Sequence, residues 1–138
     1  MQRTLRNALA ALAVTGSALA LAACGGAEDK VTESVDKAVT ETYEVTYEIT
    51  GSGTATVDFN AGKGTANEPQ LETVTDAALP WKRTVTLKGI AAPTVQATGA
   101  ADGAEVTCRI THKGKVLKSE TSKDASAPAS CVAVSPLA

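Results

Sequence analysis

The sequence predicts an all-β fold: an immunoglobulin-like antiparallel β-sandwich of about seven strands with one intradomain disulfide. Three observations predict it. Apolar and polar residues alternate with period two, most strictly over residues 42–50, where Tyr43, Val45, Tyr47 and Ile49 fall on one face and Glu44, Thr46, Glu48 and Thr50 on the other. Turn-forming residues, such as Gly51-Ser52-Gly53 and Lys113-Gly114, separate such runs at short intervals. Finally, Cys108 and Cys131 sit in two late runs of this kind.

The elements follow in order. After the strand at 42–50, the Gly51-Ser52-Gly53 break turns the chain, and Ala55, Val57 and Phe59 form the partner of a hairpin. Residues 60–70, NAGKGTANEPQ, carry the composition of a loop or ragged edge. Gly62-Lys63-Gly64 lacks the complete Walker pattern and following helix that would make it a phosphate cradle, so it reads as a turn. A short strand is expected at 71–75, then one at 83–88 in which Trp81, Arg83, Val85 and Leu87 share parity. Further strands are expected at 94–98, 105–112, 115–121 and 129–134, the second and third of these joined by a Lys113-Gly114 hairpin turn. In the strand at 105–112, Val106, Cys108 and Ile110 point one way, which places Cys108 inward.

Ahead of this domain the chain has a different character. An apolar run from Ala8 to Ala23 follows Arg3 and Arg6. It is shorter than the roughly 20 residues that span a bilayer and has the layout of a secretory signal peptide. Arg3 and Arg6 are not adjacent, so the run is no twin-arginine signal. Leu21-Ala22-Ala23-Cys24 resembles the lipobox of bacterial lipoproteins. That resemblance implies a diacylglycerol thioether on Cys24 and cleavage before it, giving a signal peptide at 1–23, a lipidated flexible tether at 24–41 and the β-sandwich at 42–138. Each acyl methylene contributes about 0.8 kcal/mol of membrane affinity, so two chains hold such a domain at a membrane. The alternatives are an ordinary signal peptide with an incidental cysteine, or an uncleaved signal anchor. Within the tether, Val31, Val35 and Val39 recur every fourth residue, but β-branched residues give only a marginal helical tendency.

Export fits the composition. Of 13 Lys and Arg against 15 Asp and Glu, residues 1–23 hold two basic residues and no acid, leaving 11 against 15 from Cys24 onward. A net negative chain with one Trp, two Tyr and one Phe has no basic, aromatic-laced stripe for nucleic acid. So few aromatics also mean a small aliphatic core, which benefits from a staple. With Cys24 assigned to lipid, Cys108 and Cys131 remain, and outside the cytoplasm they are expected to close a disulfide. A loop of this size contributes about 3 kcal/mol. The competing reading, a pair of metal thiolates, lacks a CxxC spacing and has His112 as its only histidine, so neither metal nor cofactor is expected.

Catalytic chemistry is not expected either. No nucleophile elbow surrounds any serine, and His112 flanks a turn, where exposure is its ordinary state. Glu44 and Glu48 share a face, but alternation puts polar residues there by default. Trp81, Lys82 and Arg83 are the candidate partner-contact residues. Tryptophan is a frequent interface anchor, and the neighbouring cations could meet anionic headgroups or an acidic partner. The competing role for Trp81 is to cover one end of the core.

Four segments in order, YEVTYEITGSGTATVDF, LPWKRTVTL, TCRITHKGKVLKSET and ASCVAV, resemble the soluble domain of MmpS-family transport accessory proteins of mycobacteria and other actinobacteria. The resemblance runs from about Tyr43 to Val134 and includes Leu79-Pro80-Trp81 and the paired cysteines. It implies a non-enzymatic, extracytoplasmic β-sandwich on the outer face of the cytoplasmic membrane. Its implied partner is an MmpL transporter of the resistance-nodulation-division class, an exporter of lipids, siderophores or drugs. Such members are usually anchored by a transmembrane helix, whereas this chain reads as anchored by lipid on Cys24. The alternative function is a surface-tethered binding module for a small apolar ligand or a cell-envelope component.

Overall fold

The computed structural model describes residues 35–138 apart from 37, 101–103 and 125. Cys24 and most of the tether therefore lie outside the described residues. Eight strands follow short helical pieces at 35–36 and 38–40: β1 (Thr42–Thr50), β2 (Thr54–Gly64), β3 (Pro69–Ala78), β4 (Trp81–Lys88), β5 (Thr94–Thr98), β6 (Val106–His112), β7 (Lys115–Ser122) and β8 (Ala129–Val132). They form two antiparallel four-stranded sheets, β4-β1-β6-β7 and β3-β2-β5-β8, packed as the expected sandwich.

Alternation puts the core where period two requires it. Tyr43, Val45, Tyr47 and Ile49 of β1 are buried against Ala55, Val57 and Phe59 of β2, while Glu44 stays exposed and Thr46 and Glu48 are half-buried. Leu87, Val95, Ile110 and the two cysteines complete the interior. The Cys108–Cys131 disulfide joins β6 of one sheet to β8 of the other, with Cα atoms 6.0 Å apart. It staples the two layers through the middle of the core, between Ile49 on the neighbouring strand β1 and Val95 on the neighbouring strand β5.

The expected loop at 60–70 is instead largely ladder. β2 continues to Gly64 and β3 begins at Pro69, with a register shift between Asn60 and Lys63. Glycine makes this bulge possible: Gly62 and Gly64 take φ of 84° and 82°, which L side chains rarely adopt. Asn60 pins the distortion, since its Oδ1 accepts from the Gly62 amide at 2.9 Å. A second shift, between Ala55 and Val57, accompanies Asp76 at φ 52° and lets β3 run on to Ala78, beyond the expected end at residue 75. The last strand stops at Val132, two residues early: the Ala133 amide still donates in register to the Pro93 carbonyl at 3.0 Å, but Pro93 has no N–H to return the bond.

The sandwich has two distinct ends. The start of β1, the β2–β3 and β6–β7 turns, the β4–β5 connection and the chain after β8 gather at one, which we call the tether end. Thr42 pairs with Lys88, Gly64 with Pro69, His112 with Lys115 and Thr94 with Val132 there. The β1–β2, β3–β4, β5–β6 and β7–β8 connections lie at the other.

Candidate functional site

Buried polar groups concentrate near the tether end and fix its connections. The Tyr47 hydroxyl donates to the Asn60 carbonyl at 2.9 Å and accepts from the Thr94 amide at 3.2 Å. Asn60 Nδ2 donates to the Ala92 carbonyl at 3.0 Å, Ser135 Oγ donates to the Gly89 carbonyl at 3.0 Å, and the Tyr43 hydroxyl bonds the Ala91 carbonyl. Burial pushes both phenols above their ordinary ionisation range. These bonds satisfy carbonyls that the non-repetitive segment 89–93 would otherwise bury unpaired.

Beside this network lies an open groove of about 690 Å³ lined in part by Glu41–Glu44, Thr46, Thr84, Thr86 and the β6–β7 turn. Its origin is a mismatch of strand lengths. β6 pairs with β1 only over Thr46–Thr50, so the first half of β1 has a ladder partner on the β4 side alone. His112 closes part of the gap, its Nδ1 within 2.7 Å of the Glu44 carbonyl and its ring edge-on to Tyr43 with centroids 5.9 Å apart. The histidine is thus half-buried and bonded, where the sequence reading made it an exposed turn residue. Threonine hydroxyls floor the groove, with Thr46 Oγ1 and Thr84 Oγ1 3.0 Å apart. A surface of this kind can hold an extended or hydroxyl-bearing partner by hydrogen bonds. Among the described residues, no group of three or more His, Cys, Asp and Glu is placed to hold a metal ion.

The three candidate contact residues on β4 are split by strand parity. Trp81 and Arg83 turn toward the interior: the Trp81 ring lies 5.2 Å from that of Phe59, and the Arg83 guanidinium carbon 5.5 Å from the Phe59 centroid. Trp81 is half-buried, as its core-covering role requires, and Arg83 remains exposed at the margin. Lys82 faces outward, opposite Glu48, which also lies 3.8 Å from Arg109. In the other sheet, Lys63 of β2 pairs with Glu72 of the edge strand β3 at 2.5 Å and, by hydrogen bonding, holds that carboxyl below its ordinary range. Charges on edge strands discourage sheet-to-sheet pairing, so this margin reads as a guarded edge.

A family model described as Mycobacterium membrane protein matches residues 8–136. The chain belongs to this MmpS-type family. The match takes in the whole sandwich and the apolar run before Cys24. No match is found among curated proteins. Family membership makes this a membrane-associated protein, and the MmpS type is generally accessory rather than catalytic. No helix among the described residues is long and apolar enough to cross a membrane. The groove beside β1 was missed in the sequence because it arises from unequal pairing of β1 with its two neighbours. Only the proximity of His112 to a turn hinted at it.

Proposed function

We propose that this MmpS-type protein is a non-enzymatic accessory subunit of an MmpL-class exporter of lipids, siderophores or drugs, held at the outer face of the cytoplasmic membrane by lipid on Cys24. The observation that carries the reading is where the usable surface lies. Tyr47, Phe59, Ile49, Leu87, Ile110 and the disulfide fill the space between the sheets, while the open groove is on the outside, along a half-paired strand. A domain so arranged acts through its surface on a partner. The groove also favours a second reading, a tethered module that binds a hydroxyl-bearing envelope component; a threonine floor suits this better than it suits a small apolar ligand.

Crosslinking of the protein in its native membranes, followed by mass spectrometry, tests the proposal. Recovery of a resistance-nodulation-division transporter supports the accessory role. Its repeated absence, with an envelope polymer or another protein recovered instead, overturns that role. The same preparation of Cys24→Ser, found in the membrane fraction with its leader cleaved, would overturn the lipid anchor.

A further inference from the structure

The exposed apolar side chains of the sandwich are distributed very unevenly. Val35 and Val39 lie at the start of the described chain, and Val39 abuts Gly89, where an added Cβ would come within 2.5 Å of the Val39 carbonyl oxygen. Ile90 follows directly. Val134 sits between Ala133, bonded to Pro93, and Ser135, bonded to Gly89. These four are 55%, 48%, 48% and 77% exposed, and all lie at the tether end. The other large apolar residues exposed among those described, Leu71, Val116 and Val132, stand within three residues of the tether-end termini of β3, β7 and β8. The opposite end presents Gly51, Ser52, Gly53, Glu105 and Asp124 at its turns and exposes no large apolar residue among those described.

We infer that the tether end is a membrane-contacting face, which rests its exposed valines and Ile90 on the lipid interface and points β1–β2 and Trp81 away from it. Two arguments select lipid as the occupant. The described chain begins at this end, and Cys24 precedes Val35 by 11 residues, a span of at most about 40 Å even when fully extended. This inference therefore rests on the proposed anchor at Cys24. Exposed apolar side chains gathered at one end of a small domain mark a contact site, and a face held this close to a bilayer meets lipid first. Lys63, Lys88, Lys113 and Lys115 ring the same end, where their stems can lie along apolar surface with the ammonium groups in the headgroup layer. Asp36, Glu41 and Glu68 are there too, so the attraction is apolar and survives salt.

The test uses the full-length lipidated chain in phosphatidylcholine vesicles that contain brominated lipid, a short-range quencher of tryptophan. Trp81 starts β4, about 23 Å from the tether end at 3.3 Å per residue, and serves as the internal reference. The expected result is that the protein floats with the vesicles, that Ile90→Trp loses most of its added emission in both low and high salt, and that Trp81 and a Ser52→Trp control lose little. Flotation with Ile90→Trp quenched no more than Ser52→Trp overturns this inference and leaves the anchor standing. Quenching that requires anionic lipid and disappears in salt also overturns it, because the contact would then be electrostatic. Failure to float overturns the anchor, and the membrane face with it.

Discussion

Tyr47 and Asn60 join the two sheets by a buried hydrogen bond, the phenol of β1 donating to the backbone carbonyl of β2 at 2.9 Å. The same phenol oxygen receives the Thr94 amide at 3.2 Å, so one side chain ties β1, β2 and β5 together. Tyr47→Phe keeps the ring and leaves two buried backbone groups unpaired. Its expected cost is about 1–3 kcal/mol in denaturant unfolding, against less than about 0.5 kcal/mol for Thr46→Ala on the outer face. Equal losses would contradict the role given to the phenol.

Alkaline pH probes the same site. Burial raises Tyr47 and Tyr43 above the ordinary 10.0, with a Thr94 bond opposing it at the first and a Ser135 bond at the second. The folded state holds these protons while the unfolded chain releases them. Stability is therefore fully present below pH 10.0 and is lost as pH rises through the folded values. These are both tyrosines of the chain, so its whole phenolate absorbance should appear late and together with unfolding. Ordinary titration of the native protein would contradict their burial.

How much of this was legible in the sequence depended on period two. In β1, strict alternation gave strand, face and core residues together, and Tyr43, Val45, Tyr47 and Ile49 are all buried. Inward Cys108 followed from the same parity. Alternation fails where a bulge resets it: at Asn60–Lys63 and near Asp76, positive-φ residues carry a ladder through sequence that reads as loop. Parity also places Trp81 and Arg83 on one side of β4 and Lys82 on the other. The groove and the apolar tether end were out of reach, because both depend on which strands are neighbours and where each one stops.

Glycine at the bulge is open to a direct comparison. A Cβ on Gly62 would meet the Thr86 carbonyl oxygen of β4 at 2.4 Å, whereas one on Gly99 meets nothing within 4 Å. Both positions have positive φ, 84° and 72°, so alanine at either is strained by about 1–2 kcal/mol. Gly62→Ala should cost at least about 1 kcal/mol beyond Gly99→Ala in thermal or chemical unfolding. Similar losses would mean that β2 and β4 do not approach as described.

The disulfide predicts a pattern of non-additivity. Cys108→Ser and Cys131→Ser each break the one link between β6 and β8 and should each cost about 2–5 kcal/mol. The double variant should be little worse than either single one, since the second substitution removes a thiol already unpaired. Additive losses would contradict the pairing.

The accessory role is tested most directly from the groove itself. A photocrosslinking residue in place of Glu44, at the groove, is compared with one in place of Ser130, exposed on the opposite sheet, in the full-length protein in its own membranes. The expected result is a covalent adduct with a resistance-nodulation-division transporter from position 44 and none from position 130. Adducts from position 44 that contain only another envelope component, with no transporter from either position, would contradict it.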